Sequence, residues 1–167
     1  MNNFKLLIVT FFLIFLKIPN SYSLIEVDIT RGNLNPLPIA VSPLSLDKKS
    51  KIEFQKKLNL DDLGSEISKI IENNLKKSGI FNPLSKDAFI QKPDIAHLKP
   101  RFEDWALIKA QALITGKVSF DDQKLKVEFR LWDVLANKEM LALSFTTVPT
   151  NWRRVGHIIT DKIYERL

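Results

Sequence analysis

The stretch LKVEFRLWDV, Leu125–Val134, places Leu125, Val127, Phe129 and Leu131 in alternation with Lys126, Glu128, Arg130 and Trp132. A period of two is the repeat of a pleated strand, whose successive side chains point to opposite faces. One face of this strand is buried and the other is wetter. A half-buried strand needs neighbours and a covering layer. The neighbours are adjacent in the chain. ALITGKVSF (Ala112–Phe120) predicts a strand with an interruption at Gly116 that suits a bulge. DDQK (Asp121–Lys124) is a hairpin loop, LANK turns the chain, and EMLALSFTTV (Glu139–Val148) is a third strand. Three neighbouring strands joined by tight turns form an antiparallel meander.

Helical spacing supplies the cover. Leu60, Leu63, Ile67, Ile70, Ile71 and Leu75 fall on one stripe, with Asn59 or Asp61 as cap. Lys76 and Lys77 suit the negative end of that helix, and Gly79 the left-handed residue beyond it. Near the carboxyl end, Trp152, Val155, Ile159 and Ile163 recur on one face, with Thr150 as cap. LPIAVSPL (Leu37–Leu44) predicts a buried strand with Pro38 at its beginning. SLDKKSKIEFQKKLN predicts a connection with room for one helical turn. IFNPLSKDAF (Ile80–Phe89) is a short extended piece, and IQKPDIAHLKP (Ile90–Pro100) a loop. RFEDWALI (Arg101–Ile108) is a short helix with Phe102, Trp105 and Ile108 spaced by three. The expected fold class is α+β: a single domain with a mixed or antiparallel sheet of about five strands and two main helices on one face.

The amino end has a different character. Lys5 precedes LLIVTFFLIFL (Leu6–Leu16), an apolar run of eleven residues, and SYS puts small residues at a cleavage step before Leu24. A membrane-spanning helix takes roughly 20 apolar residues, and Lys17 and Pro19 cut this run short. Residues 1–23 therefore form a signal peptide, and the mature chain is expected outside the cytoplasm. The chain has no Cys, which excludes a lipidated cysteine and any disulfide framework. After the leader, Ile25, Val27 and Ile29 alternate with Glu26, Asp28 and Thr30, followed by turn chemistry over Arg31–Pro36. A strand at the end of a domain is either a core strand or a segment free to leave.

Charge and chemistry narrow the function. Loss of Lys5 and Lys17 with the leader lowers the net charge from +6 to +4, with 23 basic against 19 acidic residues. No concentrated basic stripe of a nucleic-acid binder is present. Lys48–Lys51, Lys56–Lys57 and Lys76–Lys77 are solvated faces. Without Cys there is no thiol nucleophile or thiolate metal site. His97 and His157 are far apart, and no phosphate-cradling glycine motif occurs. Asp61–Asp62 sits at a helix start and Asp121–Asp122 in a hairpin, where capping and turn formation account for both. Trp105, Trp132 and Trp152 are packing residues or an aromatic ligand surface, and Trp132 is on the polar face of its strand. Catalytic groups, cofactors and metals are expected to be none.

Several stretches together resemble the TolB amino-terminal domain family: IEVDITRG, PIAVSPL, LKKSGIFNPL, DWALIKAQALITGKV, FRLWDV and NWRRVGHIITDKIYERL, in that order. The resemblance implies a non-enzymatic periplasmic protein of the Tol–Pal system, which supports outer-membrane integrity and cell division. It implies a small α/β domain over residues 34–167, followed in the family by a β-propeller that docks the lipoprotein Pal. It also implies that residues 24–33 form a mobile segment binding a TolA-like periplasmic domain. Its residues here are Leu24, Ile25, Glu26, Val27, Asp28, Ile29, Thr30, Arg31, Gly32 and Asn33. Membrane contact would be indirect. Two departures stand out. The sequence ends at YERL without propeller repeats, so Pal contact would need a separately encoded propeller chain. Lys109 stands where the family usually has a glycine after the tryptophan helix. The alternatives are an inert exported remnant of a split gene and a small periplasmic ligand-binding protein.

Overall fold

The alternation at Leu125–Val134 does form the middle of a sheet. The computed structural model of the chain describes residues 35–97, 99–121 and 123–167. The leader and the strand expected at Leu24–Thr30 lie outside the described residues. The strands are β1 (Leu37–Val41), β2 (Ser45–Leu46), β3 (Phe81–Pro83), β4 (Ala112–Asp121), β5 (Lys124–Asp133) and β6 (Lys138–Thr147). The helices are α1 (Lys48–Leu58), α2 (Leu63–Lys77), α3 (Pro93–Ala96), α4 (Phe102–Leu107) and α5 (Trp152–Arg166). Sheet order is β3-β1-β4-β5-β6, with β2 also paired to β4. β1 is parallel to β3 and β4, and β2 is parallel to β4. β4, β5 and β6 are the antiparallel meander. The fold is α+β with a mixed sheet, as expected, and β2 makes a sixth strand.

Leu125, Val127, Phe129 and Leu131 are at most 1% exposed. The same core takes Leu37, Ile39 and Val41 from β1 and Ala112, Ile114 and Val118 from β4. Leu63, Ile67, Ile71 and Leu75 of α2 and Trp152, Val155, Ile159 and Ile163 of α5 cover it. Both main helices thus lie on one face. Burying each such aliphatic side chain is favourable by about 1.5–3 kcal/mol. Gly116 makes no bulge, contrary to expectation, because it pairs in unbroken register with Phe129. It is needed for close approach: a Cβ there would stand 2.2 Å from the Glu128 carbonyl oxygen. The irregularity lies instead between β5 and β6, where Leu131 faces Leu141, Trp132 faces Glu139 and Met140 is the extra residue.

The helix boundaries correct several expectations. Asp62, not Asn59 or Asp61, caps α2, its carboxylate accepting from the Ser65 N–H at 3.0 Å. Asn59 ends α1 in the left-handed region at φ 54°. Leu60 precedes α2 but still packs on the core. Gly79, at φ 73°, terminates α2 as expected. Thr150 does not cap α5; Pro149 starts a single 3-10 turn over Pro149–Asn151, and Asn151 takes the cap position. The charged connection is a full helix, α1. Only Ser50 and Phe54 of it are buried, so its apolar period is too sparse to read from sequence. Phe54 meets Phe120 edge to face, and Ser50 Oγ accepts from the Phe120 N–H at 3.1 Å. The loop at Ile90–Pro100 holds one helical turn, α3, with Pro93 at its first position.

The other face of the sheet is covered at one end only. Ala40, Leu113 and Val134 meet Ala96, Trp105 and Ala110 there. Gln91, 3% exposed, organises this cover. Its Oε1 accepts from Trp105 Nε1 at 3.0 Å and from the Arg101 N–H at 2.9 Å, and its Nε2 donates to the Lys99 carbonyl at 3.1 Å. Lys109 adopts φ 63°, the left-handed turn that the family's usual glycine would favour.

Two predictions follow from these local conformations. Lys109→Gly relieves a left-handed Cβ penalty and raises stability by about 1 kcal/mol, measured by urea unfolding. Asp47 caps α1, and the Ser50 amide hydrogen bond holds its carboxyl below the usual carboxylate range. Its folded pKa is therefore lower than its unfolded one. The contribution is present above the usual value of 3.8 and is lost as pH falls through the folded pKa. Asp47→Ala should lower stability by about 1 kcal/mol at neutral pH. That difference should shrink below about pH 4, measured by unfolding at both pH values.

Candidate partner-binding surface

The candidate segment, residues 24–33, lies outside the described residues. The chain is described from Asn35 and Pro36, both exposed, and enters the sheet at Leu37. Its entry point is internal to the sheet. The Leu37 N–H donates to the Ile80 carbonyl at 2.8 Å on the β3 side. The Gln111 N–H donates to the Pro38 carbonyl at 2.9 Å on the β4 side. The β5–β6 turn is tied to the same end, since the Val134 N–H donates to the Gln111 carbonyl at 2.9 Å. The last turn of α5 reaches that end too, where Arg166 Nε donates to the Met140 carbonyl at 3.1 Å. Exposed Leu107 and Leu135, 75% and 63% accessible, flank this end from α4 and the β5–β6 turn.

A second feature lies on the open face of the sheet. His97, Gly116, Lys117, Glu128 and Arg130 line a shallow polar cavity of about 280 Å³. β4 and β5 place Lys117 opposite Glu128, and the turn after α3 brings His97 to them. Ser45 Oγ lies 3.2 Å from His97 Nδ1. Sequence reasoning missed this pair, because 52 residues separate its members and no motif links them. Glu128 is bridged to Lys126 at 3.1 Å, and Arg130 to Glu139. Among the described residues no carboxylate orients His97, so the pair lacks the third group of a nucleophile–base–orienter chain. The shelf can present cations to an anionic surface. Among the described residues no group of His, Asp and Glu could hold a metal ion.

The remaining sequence candidates are packing elements. Trp105 is buried on Gln91. Trp132 is half-buried, donates to Thr115 Oγ1 at 2.9 Å and meets Phe102 edge to face. Trp152 is buried under the guanidinium of Arg153. His157 is exposed, with the Asn74 side-chain amide 2.9 Å from its Nδ1, in a polar seam between α2 and α5. Lys48, Lys49, Lys51, Lys56, Lys57, Lys76 and Lys77 are all exposed, and Lys57 lies over the Phe120 ring. Among the described residues no helix is long and apolar enough to cross a membrane.

Residues 25–140 match the family described as the TolB amino-terminal domain. A relative from Pelagibacter ubique (strain HTCC1062), the Tol-Pal system protein TolB, is 73% identical over 157 residues. That match covers 93% of this chain and 35% of the relative, so the chain spans about a third of the relative's length. The crystal structure of TolB from Acinetobacter baumannii superposes with a TM-score of 0.61 at 21% identity, covering 78% of this chain and 28% of that one. That likeness is one of fold. The LpoB C-terminal domain from Escherichia coli is a looser match, with a TM-score of 0.48 at 12% identity over 72% of this chain and 89% of that one. A family match over residues 25–140, well over half of the chain, places the chain in the TolB amino-terminal domain family.

Proposed function

We propose that this chain is a non-enzymatic, periplasmic interaction domain of the Tol–Pal envelope system, binding a TolA-like partner through residues 24–33. In that setting it would support outer-membrane integrity and cell division. The observation carrying this reading is the alternation of Ile25, Val27 and Ile29 with Glu26 and Asp28, at the very start of the stretch that matches this family. The exposed entry at Asn35–Pro36 gives such a segment a route away from the domain. An extended segment of this pattern can add to the free edge of a partner sheet. Main-chain hydrogen bonds then provide affinity, and the alternate side chains provide selectivity. Glu26 and Asp28 suit a basic groove. Export by cleavage after Ser23 puts the segment at the very end of the mature chain, where it is free to dock. Contact with Pal would pass through a propeller chain, with the membrane reached only indirectly.

Calorimetric titration of the chain from Leu24 with the periplasmic domain of TolA from the same cell tests this. Binding is expected, and it should vanish for a chain beginning at Leu34. Glu26→Lys with Asp28→Lys should weaken binding by about tenfold or more, since it sets like charges against a basic groove. Equal binding by the full and shortened chains would place the contact elsewhere. No binding by either would end this reading.

A further inference from the structure

Helix α1 carries its charge against its own dipole. Anionic side chains stabilise the positive first turn of a helix, and cationic ones destabilise it. The first turn of α1 has no acid, and Lys48 and Lys49 begin it. The carboxylate of the capping Asp47 is taken up by Ser50, whose N–H and hydroxyl donate to it at 2.8 and 2.9 Å. Ile52 stands 56% exposed in the middle of the helix, although a β-branched residue is a weaker helix former than Ala or Leu. Neither choice helps α1 to fold. Residues that break a local rule without a folding gain mark functional surfaces.

These residues share one face. At about 100° per residue, Ile52 lies roughly 160° around the helix from Ser50 and Phe54, the two buried side chains. Lys48 and Lys56 lie roughly 40° to either side of Ile52, and Lys49 roughly 60° away. All three lysines are exposed, and none forms an ion pair among the described residues. The one acid of the helix, Glu53, lies roughly 100° from Ile52 and is half-buried. Asp61, beyond the end of α1, accepts from Gln55 Nε2 at 3.1 Å. Lys57 is turned away over the Phe120 ring. The outward face of α1 is thus an exposed isoleucine flanked by three unpaired ammonium groups.

We infer that the Lys48, Lys49, Ile52 and Lys56 face of α1 rests on the surface of an anionic lipid bilayer. The inference rests on the exported location proposed above and not on the amino-terminal contact. Every cation on this face is a lysine, a compact point charge without a fixed fork. Point charges suit the diffuse field of a headgroup layer, whereas discrete carboxylates on a protein surface favour the bidentate fork of arginine. The outer side of a helix is convex, and a headgroup layer accepts such a ridge with Ile52 at the acyl boundary. Ser50 and Phe54 stay on the sheet, so the contact is peripheral. It adds a direct contact to the indirect one through a propeller chain. Three lysines and one apolar side chain make it weak, reversible and sensitive to salt.

Co-sedimentation of the chain from Leu24 with vesicles is the test. Vesicles of phosphatidylglycerol mixed with phosphatidylcholine should bind it at low salt, and pure phosphatidylcholine vesicles should not. Each lysine near an anionic surface contributes about fivefold, so Lys48→Gln with Lys49→Gln should weaken binding by about 25-fold. The same pair relieves the helix dipole, so its circular dichroism melt should stay level or rise. Weaker binding by an equally stable fold separates docking from a structural role. Lys76→Gln with Lys77→Gln removes the same charge from the far end of α2 and should leave binding unchanged. If the Lys48 and Lys49 pair fails to fold, Lys56→Gln decides, with a loss of about fivefold. No TolA-like domain is present, so the result is independent of the amino-terminal reading. Equal affinity for both vesicles, or equal loss from the two double variants, overturns the inference. Absence of vesicle binding also overturns it and leaves this face to an acidic protein.

Discussion

One serine hydroxyl holds the break between β1 and β2, and the arrangement of the sheet depends on it. Where the chain leaves β1, the Ser42 N–H still donates to the Ile114 carbonyl at 3.0 Å, and buried Leu44 is the residue whose N–H needs another partner. Ser68 Oγ accepts from the Leu44 N–H at 3.1 Å. Its single proton has the Ser42 carbonyl at 3.1 Å and the Gly64 carbonyl at 2.9 Å as acceptors. Leaving such a buried amide unpaired would cost about 1–3 kcal/mol. Gly64 permits the contact: a Cβ there would stand 2.0 Å from the Leu44 carbonyl oxygen. The clamp sets the start of β2, and β2 sets Asp47 at the start of α1. It also fixes Ser45 beside His97.

This geometry separates the two ends of the molecule's chemistry. β1 is an interior strand, held between β3 and β4. Among the described residues β6 is an edge strand, with a face that α5 only partly covers. Among the described residues, the entry of the chain at β1 and the β6 edge are therefore on different strands of one sheet.

Legibility varied by element for physical reasons. β5 and α2 bury many side chains at a regular period, so their pattern shows plainly in the chain. α1 docks through Ser50 and Phe54 alone, and eleven residues with so few anchors look like a connection. Gly116 looked like a bulge because nothing in the sequence reports how closely Leu44 and the Glu128 carbonyl approach it. The caps at Asp62 and Asn151 were each missed by one residue. Several residues near a helix start can cap, and backbone torsion decides among them. For the candidate site, the expected strand at Leu24–Thr30 lies outside the described residues, and the Ser45–His97 shelf and the Gln91 hub were not legible in the sequence. Both join residues from distant parts of the chain that share no period.

The sequence by itself determined the fold class, the meander, the buried faces of α2 and α5, and the family. These follow from local periodicity and from motifs that a single strand or helix carries. Tertiary structure alone decided the β1–β2 break, the closing of the second face by Gln91 and Trp105, and the place of β6 at the end of the described strand order. Each depends on which distant segments meet. Burial and hydrogen bonding between such segments are properties of their contact, and no stretch of chain contains them on its own.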